Sequence, residues 1–245
     1  MSAIVSLDVC KSYLDCQARC ERDAILTKRR RLAQPFVTIS RQAGAGGITI
    51  GQKLIESLQK KDKSATCPWT AFDKELVAQV LKEHDLPCHL GKYMPEEKIS
   101  ESQDFFEELF NIHPSHWTLV HKASETILHL AQMGSVVLVG RGANIITRKL
   151  PLGFHVRLVG SLKKRVQHIM EYYQLTLEEA MRFVEREDRG RRDYLRKHFS
   201  CDIDDPLIYD LIINTDLVSY QETADLISSQ VLWIQERRKN HGVVS

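Results

Sequence analysis

The chain has 245 residues, 43% of them hydrophobic and 27% charged, and 34 lysines and arginines against 32 aspartates and glutamates leave a formal net charge of +2. That near balance excludes a strongly basic nucleic-acid binder and an acidic tail protein as default readings, and the length suits one large domain with at most a small appendage. No run approaches the roughly 18 consecutive apolar residues of a membrane span, and six cysteines without a Cys-x-x-Cys pair point to a reducing cytoplasm, with no signal peptide, anchor or membrane partner expected.

Residues 1–34 stand apart from the rest. They hold Cys10, Cys16 and Cys20, lack glycine and proline, and run into Lys28-Arg29-Arg30-Arg31. Val9, Tyr13, Cys16 and Cys20 fall at steps of four, three and four, which places them on one stripe of an N-terminal helical extension. Such a stripe docks on the body of the protein or on a partner, a second copy included; metal or redox chemistry of the thiols is the alternative reading.

From Pro35 to about residue 240 short apolar runs alternate with helical patterns, the signature of an α/β domain. Phe36–Ile39, Trp69–Phe72, Val136–Val139, Phe154–Val159 and Leu211–Ile213 read as five strands, and near-continuous apolar runs suit parallel strands covered on both faces. Ile50, Leu54 and Leu58 mark one amphipathic helix, Ala123, Ile127, Leu130 and Ala131 a second that stops at Gly134, and Leu162, Val166, Ile169 and Tyr173 a third. Thr176 with Glu179 and Ser219 with Glu222 have capping-box spacing ahead of two long helices. Residues 83–121, rich in Pro, His and Glu, read as a helical insertion between strands two and three.

The chemistry concentrates where strands end. Ser40-Arg41-Gln42-Ala43-Gly44-Ala45-Gly46-Gly47-Ile48-Thr49 follows the first strand and opens a helix, a setting in which backbone N–H groups and the helix dipole converge on a phosphate. A plain tight turn is the alternative. Gly47 stands where a Walker A motif has lysine and Arg41 where it has its first glycine, so Arg41 becomes the substitute cation, while Lys53, two turns into the helix, points away. Gly140-Arg141-Gly142 ends the third strand, where the ligand crevice of an open α/β sheet lies, and Asp73 ends the second and caps the helix after it.

Residues 185–205 form an arginine-bearing stretch. Glu185–Arg189, Glu187–Arg191 and Asp188–Arg192 are spaced for ion pairs on an exposed helix, and the surplus of cations from Arg186 to Lys197 suits a lid over phosphates. His113, His116 and His121 have no compact metal-ligand spacing, so no metal site is assigned to protein residues.

Taken in order, Ile39-Ser40-Arg41, Gly44-Ala45-Gly46-Gly47, Phe72-Asp73-Lys74-Glu75-Leu76, Val139-Gly140-Arg141-Gly142, the Asp188–Tyr194 stretch and Asp205-Pro206 through Asn214-Thr215 resemble the cytidylate kinase-like family over roughly residues 35–230. The resemblance implies a P-loop nucleoside monophosphate kinase-like three-layer sandwich with a five-stranded parallel core sheet, a helical monophosphate-binding insertion and an arginine-bearing lid. It implies ATP and Mg²⁺ as cofactors, nucleotide substrates rather than nucleic acid, and transfer of the γ-phosphoryl group to a CMP-like acceptor; a nucleotide-binding module without turnover is the alternative. On that reading Gly44, Ala45, Gly46, Gly47, Ile48 and Thr49 bind the donor phosphates, with Ser40 or Thr49 reaching the metal. Asp73 and Arg141 bind the acceptor, and Arg41, Arg189, Arg191 and Arg192 supply catalytic charge. Gly47 and Gly142 depart from the lysine and aspartate of true cytidylate kinases.

Overall fold

A computed structural model describes residues 6–27, 33–73 and 116–241. Its elements in chain order are α1 (Leu7–Leu26), β1 (Phe36–Arg41), α2 (Gly47–Lys61), β2 (Thr70–Phe72), α3 (His116–Met133), β3 (Val136–Val139), α4 (Ala143–Ile146), β4 (Gly153–Val159), α5 (Leu162–Tyr173), α6 (Leu177–Phe199), a 3₁₀ turn (Pro206–Ile208), β5 (Leu211–Asn214) and α7 (Tyr220–His241). The strands form one sheet in the order β2-β3-β1-β4-β5, every pairing parallel. All five fall on the apolar runs read from the sequence.

The alternation of side chains along a strand assigns the layers. On β3, Val137 and Val139 pack with Ile50, Leu54 and Leu58 of α2 and Ile227 and Val231 of α7, while Val136 and Leu138 pack with Ile127 and Leu130 of α3 and Cys10 and Tyr13 of α1. Two helical layers thus sandwich the sheet, as expected for a P-loop nucleoside monophosphate kinase-like fold. The helical insertion lies outside the described residues except for its end, residues 116–121, which begins α3.

The N-terminal extension is a helix docked on the body, with one shift of phase. Cys10, Tyr13 and Gln17 are the buried residues, whereas Val9 is 42% exposed. The Tyr13 hydroxyl and the Gln17 amide both donate to the carbonyl of Gly134, at 2.6 and 3.4 Å. These bonds satisfy a carbonyl at the α3–β3 turn, where Gly134 takes a left-handed φ of 73° that a side chain disfavours. Sequence spacing missed a covalent link as well: Cys16 is bonded to Cys67, 51 residues on, outside any short motif.

Both capping boxes form. Thr176 and Glu179 exchange bonds at the start of α6, and Ser219 and Glu222 do so ahead of α7.

Asp62, ending α2, ties the layers together. Its carboxylate accepts from the Trp69 indole and the Gln235 amide, both at 2.9 Å, and from the backbone and hydroxyl of Ser64 at 2.9 Å. Burial opposes its charge, but the bonds from Gln235, Trp69 and Ser64 prevail and hold the carboxyl below its ordinary 3.8. Because the folded value is depressed, the stability it contributes is complete above the ordinary carboxylate range and is lost as pH falls through the folded value. Asp62→Ala should therefore lose about 2–3 kcal/mol at pH 7. In urea titrations the gap to wild type should narrow below about pH 4.

Candidate functional site

β1 is the central strand, and the chain leaves its carboxyl end at the crevice where the strand order departs in both directions. The turn after it is built for close approach. Gly44 and Gly46 have φ of 80° and 77°, and a Cβ on either would strike the Arg165 carbonyl or the Tyr220 ring. Gly46 caps α2 with no side chain, so the first amides of that helix have neither a side-chain cap nor an intrahelical partner. Gly44, Gly46, Gly47, Ile48 and Thr49 line a cleft of about 450 Å³; Ala45 does not, being buried beneath, its N–H donating to the Gln42 carbonyl at 3.2 Å.

The turn is braced from behind. Arg165 of α5 donates to the Ala43 carbonyl at 2.9 Å, to the Gly160 carbonyl at 2.9 Å and to Asp188 at 2.7 Å, and Asp188 accepts the Ala43 N–H at 2.7 Å. His168 approaches the Gly44 carbonyl at 2.8 Å through Nδ1; a carbonyl only accepts, so Nδ1 carries the hydrogen. The i,i+4 spacing predicts that Asp188 pairs with Arg192 on an exposed face, whereas the structure pairs it with Arg165. It turns inward, because Val184, Asp188, Arg191 and Leu195 form the inner stripe of α6, with Val184 and Leu195 buried.

Arg41 occupies the space that the missing lysine leaves. A Cβ on Gly47 would sit 2.9 Å from its Cγ, and a Cβ on Gly140 would collide with its guanidinium, so two glycines form the trough along which the side chain runs. The desolvation of this crowded position, the nearby charge of Arg191 and, further down, that of Arg141 lower its pKa to about 9, against partial relief from Asp73 and Glu187. The guanidinium is still protonated at pH 7. Arg191 reaches the Arg41 carbonyl at 3.2 Å and is itself shifted downward, by desolvation first, against the attraction of Glu187 and Asp188.

Among the described residues, Arg41, Arg141, Arg186 and Arg191 line the cleft with a single carboxylate, Glu187. Mutual repulsion in a partly desolvated space is relieved by an anion of two or more charges. His168, Tyr172, Tyr173 and Phe183 also line the cleft; Tyr173 and Phe183 are 5.3 Å apart, and the Arg186 guanidinium lies 5.4 Å from the Phe183 ring. Cationic turn and aromatic wall together fit a molecule that is phosphate at one end and flat at the other.

The remaining expected residues divide. Arg141 lines the cleft 5.7 Å from the Tyr194 ring, with the rare left-handed φ of 56° for a side-chain-bearing residue. Asp73 is 9% exposed at the end of β2, within electrostatic reach of Arg41; the helix it was expected to cap lies outside the described residues. Arg189 and Arg192 do not line the cleft. Arg189 bonds Glu185 at 2.7 Å on the outer face, and Arg192 lies 3.9 Å from Asp204, because positions 189 and 192 flank the inner stripe. Lys53 points toward Gln221, as expected.

Sequence reasoning missed Arg157 and Arg165. Arg157, 3% exposed on β4, donates to the Ser40 hydroxyl and to Asp204, both at 2.9 Å, and so orients Ser40 at the cleft. The signal was a lone charge inside the apolar run Phe154–Val159. Arg165 sits beside Val166 and four residues before Ile169, both buried members of the apolar stripe expected for this helix, whereas Leu162, its first expected member, is 53% exposed.

Residues 36–217 match the sequence model of the cytidylate kinase-like family. The chain belongs to that family. The cytidylate kinase of Pyrococcus horikoshii is 27% identical over 180 residues, covering 73% of this chain and 79% of that one. That of Thermococcus sibiricus is 32% identical over 111 residues, 45% of this chain and 54% of the relative. Among solved structures, an uncharacterized protein from Eubacterium ventriosum superposes with a TM-score of 0.61 at 19% identity, covering 82% of this chain and 99% of that one, a likeness of fold.

In this cytidylate kinase-like chain the Arg165–Asp188 clamp should stabilise fold and turn together. Arg165→Ala takes the guanidinium from the Asp188 carboxylate and from the carbonyls of Ala43 and Gly160 at a mostly buried site, and should lower unfolding free energy in denaturant titrations by about 2–4 kcal/mol.

Proposed function

We propose that this chain is an ATP-dependent phosphotransferase that moves the γ-phosphoryl group to a nucleoside monophosphate, CMP-like in kind, or to a similar small phosphate acceptor. The observation that carries the reading is Arg41 lying in the Gly47–Gly140 trough, beside the free amides of the turn and facing Arg191 and Arg141. That arrangement suits a polyphosphate and has no evident structural use without one.

The cleft also fits the cofactor. Thr49, Ser40 and Glu187 are the oxygen donors on its wall nearest the turn, a small set appropriate to a Mg²⁺ held chiefly through phosphate oxygens. When bound, Mg·ATP would supply the transferable group and a divalent counter-charge, with Thr49, Ser40 and Glu187 as the residues that would hold the metal. The protein's own work is positioning and charge stabilisation. The amides of Gly44, Gly46 and Gly47 receive phosphate oxygens, and Arg41 offers its planar fork from the strand side where a P-loop lysine would come from the helix. Arg191 and Arg186 meet the transferred group from α6, and Arg141 and Asp73 address the acceptor. Tyr172, Tyr173 and Phe183 give a flat base a surface to lie on.

A screen of radiolabelled ATP against CMP, dCMP, UMP and AMP tests the reading. Arg41→Ala should cut turnover about 10²- to 10³-fold, while Arg189→Ala on the outer face should stay within about threefold of wild type. Tight ATP binding in calorimetry with no product on any acceptor would instead identify a nucleotide-binding module without turnover. Arg41 also gives a pH signature. Bound phosphate favours the charged guanidinium, so ATP binding near pH 9 should take up protons and weaken as pH rises further. A binding enthalpy that varies with the ionisation enthalpy of the buffer, and ceases to vary in Arg41→Ala, would report this.

A further inference from the structure

The docked N-terminal helix carries chemistry that the phosphate cleft does not use. Cys16 and Cys20 are one turn apart on α1 and face the same way, toward Cys67 in the turn between α2 and β2. Cys16 and Cys67 form a disulfide with Cα atoms 5.9 Å apart. Cys20 is a free thiol whose sulfur lies 3.7 Å from that of Cys67, and the three sulfurs lie within 4.8 Å of one another. A disulfide alone is a staple. A disulfide with a third thiol in van der Waals contact with one of its sulfurs has the parts for exchange, in which a thiolate attacks one sulfur and the other departs.

We propose that Cys16, Cys20 and Cys67 form a thiol–disulfide exchange site in which Cys67 is the shared sulfur, bonded in turn to Cys16 or to Cys20, and which tethers α1 to the nucleotide-binding body. In the exchange, the Cys20 thiolate attacks Cys67 Sγ; the Cys20–Cys67 bond forms, the Cys16–Cys67 bond breaks, and Cys16 leaves as thiolate, with no net change of oxidation state. Making the first bond from three thiols is a two-electron oxidation that requires a small disulfide such as glutathione disulfide. Cys16, part-exposed where Cys67 is buried, attacks it and releases one glutathione, then Cys67 attacks Cys16 Sγ and releases the second. Two protein thiols are oxidised, and one glutathione disulfide is reduced to two thiols that carry the protons.

The remaining cysteines stay outside this chemistry. Burial, and then the charge of Asp73, push the Cys10 thiol up to about 12, so it supplies almost no thiolate at neutral pH. Cys201 lies beyond α6, its sulfur 3.3 Å from the Phe199 carbonyl, and makes no part of the cluster.

The tether has consequences because of what it encloses. The covalent loop from Cys16 to Cys67 contains β1, the glycine turn and the whole of α2. Beyond the cysteines, α1 packs Tyr13 edge-on against Phe72 at 5.8 Å, and Cys10 approaches the Ala71 carbonyl, on the strand that ends at Asp73. Either disulfide holds α1 against the strand that leads to the cleft.

The full-length protein can be equilibrated with glutathione and glutathione disulfide, quenched in acid, alkylated and mapped by mass spectrometry, with Cys201 as the internal alkylation standard. Wild type should yield both Cys16–Cys67 and Cys20–Cys67 linked peptides. Cys16→Ser should form the Cys20–Cys67 bond at a rate within about tenfold of wild type, and Cys67→Ser should form neither. Reduction should lower the melting temperature of wild type and Cys16→Ser by roughly 5–15 °C and leave that of Cys67→Ser unchanged. Complete alkylation of all three thiols in wild type at every glutathione ratio would overturn the proposal, and this readout needs no variant. It would equally fall if Cys16→Ser left Cys20 and Cys67 fully alkylatable while wild type formed only Cys16–Cys67, which would make the bond a fixed staple. Uptake of one equivalent of Zn²⁺ by the reduced protein, with protection of all three thiols, would reassign the cluster to metal binding and overturn exchange.

Discussion

The cleft depends on keeping a guanidinium in a crowded space where its charge is disfavoured. Arg41 pays a desolvation cost that, with Arg191 and Arg141 nearby, lowers its pKa to about 9. The surrounding structure is arranged so that the side chain has nowhere else to go. Gly47 and Gly140 make room for its stem and head, and its carbonyl is held by Arg191. Arg165 and Asp188 fix the backbone of the adjoining turn. Each of these contacts raises the cost of moving Arg41 aside, and an anion in the cleft lowers the cost of keeping it there. The fold itself thus fixes positive charge at the end of β1, with no rearrangement needed to present it to an anion.

This geometry explains how the glycine turn can lack the lysine of a Walker A pattern and still have a cation beside it. A lysine on the helix would bring a point charge on a flexible stem across the turn. Here the cation comes from the end of β1, and glycine at the helix position leaves room for it, because a Cβ there would crowd Arg41 Cγ to 2.9 Å. The two departures from a Walker A pattern, arginine for the first glycine and glycine for the lysine, are one substitution seen from two positions. The guanidinium presents several donors in a plane rather than one mobile charge, so contact with phosphate oxygens is shared among directed hydrogen bonds.

What the sequence revealed follows from range. The strands and the glycine turn were legible because apolar runs and backbone conformations are local properties; Val136–Val139 matched to the residue. Asp188 and Arg165 were misread or missed although periodicity contained the answer. Val184, Asp188, Arg191 and Leu195 fall at steps of four, three and four, and that stripe is the buried one, yet charge pairing at i,i+4 suggested an exposed face. Where the two signals conflict, burial of the apolar stripe outweighs surface ion pairs worth tenths of a kcal/mol. That is why Arg189 and Arg192, each one residue and so about 100° round the helix from a member of the stripe, point elsewhere. The Cys16–Cys67 link was illegible for a different reason: it joins residues from two elements whose proximity only the fold creates.

The N-terminal helix and the cleft share a single strand. β2 is only three residues long, an edge strand paired on one side with β3, and short edge strands hold their position through what packs on their faces. Trp69 and Ala71 lie in the core between the sheet and α2, and Phe72 lies against Tyr13 of α1 on the other face. The sulfur chemistry of α1 sits at the chain's entry into this strand and Asp73 at its exit. The charge on Asp73 acts in both directions, opposing ionisation of Cys10 and favouring the charged form of Arg41. A helix lying outside the matched family segment, which begins at residue 36, thereby forms one wall of the strand that brings Asp73 within electrostatic reach of Arg41. Displacing α1 would uncover Phe72 and hydrate the surroundings of Asp73, weakening its hold on Arg41, because the interaction between two charges falls as water enters between them.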